Sequence, residues 1–139
     1  MNNSTTNSVL PLTGRILMSA IFILSGVGKL AAPAATMGYI SAMGLPFPAI
    51  GLAGAVAIEL LGGLMLAFGW QTRAVAWVLA GFSIVTGLIF HHAIADQNQM
   101  IHLLKNFAMA GGLLHIAAFG AGAVSIDARR ARRLAAGHA

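Results

Sequence analysis

The sequence predicts an all-α membrane protein: a four-transmembrane-helix antiparallel bundle with a short interfacial helix between spans 1 and 2. Three observations carry this expectation. Hydrophobic residues make up 58% of the 139 residues and charged ones only 8%, where a soluble domain needs about 25% charged residues to face water. The mean hydropathy is +0.85. The chain also contains separate stretches of about 20 mainly apolar residues, each enough to cross about 30 Å of hydrocarbon. Lysine and arginine collect in alternate connections, as the topology of a multi-pass protein requires. The length allows one domain, residues 1–139. High hydrophobicity with little charge excludes intrinsic disorder. With no cysteine, disulfides, a thiolate nucleophile and iron–sulfur ligation are excluded.

The first span is expected over 12–32, stopped by Pro33. Arg15, the apolar run and Ala31-Ala32-Pro33-Ala34 mimic a signal peptide. Lys29 interrupts that run and Pro33 hinders cleavage, so the span is read as retained. Residues 33–48 form a short interfacial helix around 34–43. The Gly44-Leu45-Pro46-Phe47-Pro48 stretch that follows cannot continue it, because two prolines lie so close together. Tyr39 and Phe47 then fall near the headgroups. Span 2 covers 49–69, and the tight Trp70-Gln71-Thr72-Arg73 link makes span 3, at 74–94, its antiparallel neighbour. A polar turn at 95–101 leads to span 4 at 102–124, and a basic tail occupies 125–139. Arg15, Arg73, Arg129, Arg130, Arg132 and Arg133 all fall on one side. The other side holds Asp96 as its only loop charge, so both termini face the cytoplasm. The net charge of +5 is thus a topology signal and not a nucleic-acid footprint.

Charge inside a span is costly and marks either a site or a structural ion pair. Glu59 sits near the middle of span 2, about 15 Å below the outer surface, while Lys29 and Lys105 lie about 5 Å below it on spans 1 and 4. Either lysine can reach the glutamate if it points inward; Arg15, nearer the inner side, is a less comfortable partner. Arg15, Phe22 and Lys29 share one face of span 1, with Ser25 a turn before Lys29. Gly51, Ala55, Glu59 and Gly63 form a small-residue stripe on span 2, and Lys105, Ala108, Gly112 and His115 a comparable one on span 4. Such stripes let helix backbones approach closely. The three faces are expected to meet with Glu59 at the floor and the two lysines at the rim, as a polar pocket or as a register-fixing ion pair.

The histidines invite a metal reading. His91, His92 and His102 lie near the outer ends of spans 3 and 4, and three imidazoles suffice for zinc or copper. Interfacial imidazoles bonding water and headgroups are the favoured reading, so no metal is assigned. His115 is about 15 Å from His91 in depth, too far for a shared haem. The methionines are scattered, as core filling requires. No phosphate loop, nucleophile elbow, zinc-ligand helix or dinucleotide fingerprint occurs.

Taken together, several motifs form a pattern. Gly14-Arg15 opens span 1, and Ser25-Gly26-x-x-Lys29-Leu30 closes it. Tyr39-Ile40, Gly44-Leu45-Pro46 and Ile58-Glu59-Leu60-Leu61-Gly62-Gly63 follow. After these come Gly69-x-x-Thr72-Arg73, Phe90-His91, Leu104-Lys105-Asn106-Phe107, and Gly120-x-Gly122 with Ser125-Ile126-Asp127. From Gly14 to Asp127 the chain resembles the DoxX family of small four-helix membrane proteins, departing from it in the doubled His91-His92. The resemblance implies a bacterial inner-membrane location and carries the family's polar positions onto Arg15, Lys29, Glu59, Arg73, His91, Lys105, Asn106 and Asp127. Relatives include a subunit of a thiosulfate:quinone oxidoreductase and members of membrane redox complexes. The resemblance therefore implies a redox-associated, quinone-linked subunit, with peripheral or membrane redox proteins as partners. Lys29, Glu59, His91, Lys105 and Asn106 are the pocket candidates, and Arg15, Arg73, Asp127 and the four tail arginines are the structural or topological residues. No haem, iron–sulfur or flavin signal is present, so the chain is at most one subunit of an oxidoreductase. A non-catalytic scaffold or stress-response protein is the alternative. A small transporter is a further one, needing an oligomer because the inner halves of spans 2 and 3 are too apolar.

Overall fold

The computed structural model describes residues 3–137, and side chains from residue 8 onward. The helices are α1 (Asn3–Ala31), α2 (Pro33–Ala42), α3 (Pro48–Phe68), α4 (Thr72–Phe90), α5 (Gln97–Phe119) and α6 (Ile126–Ala136). Among the described residues there is no strand. Four of the helices are long and apolar enough to cross a membrane: Ser8–Ala31, Pro48–Phe68, Thr72–Phe90 and Gln97–Phe119. Leu24, Leu61, Trp77 and Leu104 on these helices are more than half exposed. Such a surface suits lipid as the solvent and would be an aggregation hazard in water.

Prolines and caps set the boundaries. Pro33 and Pro48 each stand in the first turn of a helix, where the missing N–H costs nothing. The connection of spans 3 and 4 departs from expectation: α4 stops at Phe90, not 94, and α5 runs over Gln97–Phe119 in place of 102–124. Asp96 causes the early start, its side chain accepting a 2.9 Å hydrogen bond from the Gln99 amide as an N-cap. Gly120, at φ +86, ends α5 and leaves the apolar residues Ala121 to Val124 outside the helix. The basic tail carries a helix of its own. Ser125 Oγ accepts from the Ala128 amide at 3.0 Å and starts α6.

In the bundle, α1 packs chiefly on α3 and α4 on α5, while α3 also touches α4 and α2 crosses α3. The α1–α3 seam is built on glycine. A Cβ at Gly63 would lie 2.8 Å from Ile23 Cγ1 and 3.3 Å from the Ile23 backbone nitrogen, and one at Gly26 would lie 2.7 Å from Leu60 Cγ. The backbones therefore approach as closely as small-residue stripes allow. Leu66, Leu79 and Leu113, from three different spans, are fully buried at the centre.

A polar knot ties the end of the bundle that carries the α3–α4 turn. Arg15 is 2% exposed. Its guanidinium donates to the Ala121 carbonyl, to Val124 O at 2.9 Å and to Ala67 O at 3.2 Å. It thereby supplies donors to a C-terminal carbonyl of α3 and to two carbonyls of the α5–α6 turn, the kind of group a helix end leaves without an intrahelical partner. Asp127, at the start of α6, does the converse for α4. Its Oδ1 accepts from the Gln71 amide and its Oδ2 from the Thr72 amide, both at 2.9 Å. The Asp127 amide donates to Gly69 O at 2.9 Å. A carboxylate from another helix therefore caps α4, whose preceding residue, Gln71, sits at φ +50 without a side-chain cap of its own. Burial alone would raise the Asp127 pKa. The hydrogen bonds from Thr72 and the Gln71 amide, with the Arg15 charge, outweigh it and hold the group below the ordinary carboxylate value.

Candidate ligand-binding cavity

Toward the end of the bundle opposite the knot, the four spans separate around a cavity of about 640 Å³, within the range of small-molecule sites. Helical spacing decides which side chains line it. Span α1 contributes Phe22, Ser25 and Lys29, three and four residues apart, and α3 contributes Gly51, Ala55 and Glu59 at every fourth position. Span α4 offers Phe82, Ser83, Thr86 and Phe90, then His91, while α5 offers Asn106 and Met109. Thr36, Tyr39 and Ile40 of α2 also line it. Tyr39 is fastened in place, its hydroxyl donating to Phe90 O at 3.1 Å and its ring 5.3 Å from that of Phe90.

The charged wall is a three-residue unit. Lys29 Nζ reaches both Glu59 carboxylate oxygens at 2.8 Å and donates to Ser25 Oγ at 2.7 Å. Ser25 Oγ in turn donates to Glu59 Oε1 at 3.1 Å. Glu59 is 6% exposed and Lys29 26%, so the acid is the buried member and the ammonium the reachable one. The remaining polar groups keep acceptor capacity. Ser83 and Thr86 donate back to Leu79 O at 2.8 Å and Phe82 O at 2.7 Å, which uses their protons within the helix and leaves oxygen lone pairs. Asn106 donates to His102 O at 3.0 Å through Nδ2, leaving its carbonyl oxygen.

Of the candidates read from the sequence, Lys29, Glu59, His91 and Asn106 line this cavity. Lys105 requires a correction: it is exposed and absent from the lining. It precedes Asn106 by one residue, and one step of about 100° around α5 turns it off the inward face. The doubled histidine resolves as well. His91 joins the cavity, its Nδ1 2.8 Å from Gln99 Oε1, a contact in which the amide oxygen accepts from the imidazole. His92 Nδ1 turns back to Ile89 O at 2.9 Å. The His91 and His102 rings stack with centroids 5.0 Å apart. Among the described residues no three metal-ligating side chains converge, so the weak candidates His91, His92 and His102 do not form a cluster here. Arg15 and Asp127 belong to the polar knot at the opposite end, while Arg73, Arg129, Arg130, Arg132 and Arg133 are exposed.

Sequence reasoning missed Thr36, Ser83 and Thr86, and placed Tyr39 only near the headgroups. Ser83, Thr86 and Phe90 stand at three- and four-residue spacing, a signal available in the sequence. Nothing in it showed that α2 would return over the same cavity.

The comparisons with known proteins agree with this architecture. The family profile described as DoxX matches residues 10–92. Inner membrane protein YqjF of Escherichia coli (strain K12) is 40% identical over 116 residues, covering 84% of this chain and 88% of the relative. Inner membrane protein YphA of the same organism is 32% identical over 126 residues, covering 87% and 90%. No solved structure matches significantly.

Proposed function

This chain belongs to the DoxX family and is a multi-pass inner-membrane protein, and from that footing we propose that it is a redox-associated subunit holding a quinone-class molecule in the cavity. The observation that supports this most is the composition of the lining. Aromatic and aliphatic walls surround one reachable ammonium, a carboxylate and several acceptor oxygens. A mostly apolar ring with two polar oxygens fits such a lining, as ligand sites combine apolar area with a few placed polar groups.

In this role Lys29 turns the N–H it gives to Ser25 Oγ toward a ligand oxygen, since its three donors are otherwise all engaged, while Glu59 or the His91 imidazole accepts a proton. Oxidation of a quinol releases two protons and two electrons. The protons pass to such groups, and the electrons pass to a redox partner, because a chain without cysteine offers no thiol route. Both termini then face the cytoplasm by the arginine distribution, and the cavity opens outward.

The test is mass spectrometry of the protein extracted in native lipid discs without delipidation. A co-purifying quinone, lost in Glu59→Gln and Lys29→Ala variants that keep their helical circular dichroism, is the expected result. Ordinary phospholipid alone, with another protein chain in fixed ratio, would overturn it and favour a scaffold. That second reading has one observation of its own: Glu59 already has Lys29 on both oxygens and Ser25 on one. A fully satisfied pair can serve purely to fix helix register.

A further inference from the structure

The cavity makes no use of α6, whose composition sets it apart from the rest of the chain. Half of the cations sit here: Arg129, Arg130, Arg132 and Arg133 are four of the eight lysines and arginines. At about 100° per residue they occupy about 160° of the helix circumference, and Ala128, Ala131, Leu134 and Ala135 lie on the opposite side. Residues 129–137 are all exposed. An apolar strip opposite an arginine face is the pattern of a helix lying in a membrane interface.

Its attachment points the same way. The α5–α6 connection is short, and the first turn of α6 is bonded to the α3–α4 turn through Asp127. That turn carries Trp70, which is 46% exposed, and Arg73 follows it in the first turn of α4. Tryptophan and arginine at a span end mark headgroup depth. The start of α6 is therefore held at the bilayer surface, and Asp127, which makes the attachment, shares the angular range of the apolar strip.

We propose that α6 is an in-plane surface helix that docks on anionic phospholipid headgroups through Arg129, Arg130, Arg132 and Arg133. The partner is an anionic lipid of the same membrane: the tether at Asp127 keeps the helix close to that surface, and its four guanidiniums match phosphate in charge and in donor geometry. Each arginine near an anionic surface favours the docked state by about fivefold. Docking is independent of the ligand of the cavity.

The absence of cysteine makes the test direct. Ala131→Cys in the full-length protein, labelled with an environment-sensitive fluorophore, is reconstituted in discs of phosphatidylcholine alone or with phosphatidylglycerol. The expected result is a blue-shifted, iodide-protected label only in the anionic discs. It should be reversed near 1 M salt, where the screening length is about 3 Å. Replacing all four arginines with glutamine should abolish the lipid dependence, and replacing them with lysine should retain most of it. Equal exposure in both discs, or a lipid dependence that survives the glutamine variant, would overturn the proposal. So would protection of the label in phosphatidylcholine discs by added RNA alone.

Discussion

The Lys29–Glu59 pair predicts an asymmetric cost of breaking it. Replacing Lys29 with methionine keeps most of the side-chain volume but strands a carboxylate that is 6% exposed with the Ser25 hydroxyl as its remaining partner. Removing one partner of a buried pair costs about 3–5 kcal/mol. Replacing Glu59 with leucine strands an ammonium that is 26% exposed and near the end of α1, where its stem can carry the charge toward water. That variant should lose only about 1–2 kcal/mol, the range of a lost hydrogen-bonded partner that can be re-solvated. The double variant removes both charges and should be more stable than Lys29→Met alone, with a coupling of at least about 1 kcal/mol in the double-mutant cycle. Reversible unfolding in mixed micelles, followed by the fluorescence of Trp70 and Trp77, measures all four proteins. Equal single costs that add in the double variant would refute the reasoning, because the two groups would then not share their burial energy.

Two further predictions concern the polar knot and the α1–α3 seam. Asp127→Ala should cost about 1–2 kcal/mol, the worth of a helix N-cap. Because its folded pKa lies below the unfolded one, the wild-type contribution is fully present above the ordinary carboxylate value of about 3.9 and is lost as the pH falls through the lower folded value. Stability measured against pH should therefore show an acid limb that is smaller in Asp127→Ala. Gly63→Ala places a Cβ 3.3 Å from the Ile23 backbone nitrogen and 2.8 Å from its side chain. Overpacking there should cost about 1–3 kcal/mol, whereas Gly54→Ala, which meets nothing within 4 Å, should be neutral in the same unfolding assay.

The membrane class, the antiparallel order of the spans and the special standing of Glu59 follow from composition and spacing alone. Hydrocarbon thickness and the cost of charge in lipid act on the chain residue by residue, whatever its neighbours are. Lys29 was legible as a partner for Glu59 from depth. Lys105 lies at a similar depth and was equally eligible, and depth carries no information about rotation: about 100° of α5 separates Lys105 from the inward Asn106. Contacts between segments distant in the chain were not legible either. Asp127 caps α4 from α6, Arg15 gathers carbonyls from α3 and the α5–α6 turn, and Tyr39 is fastened to Phe90 so that α2 lines the cavity. A hydrogen-bonding side chain shows in sequence what it can donate or accept. Which backbone group it finds is decided only when the helices pack, because leaving a buried carbonyl or amide unpaired costs more than drawing the nearest side chain to it.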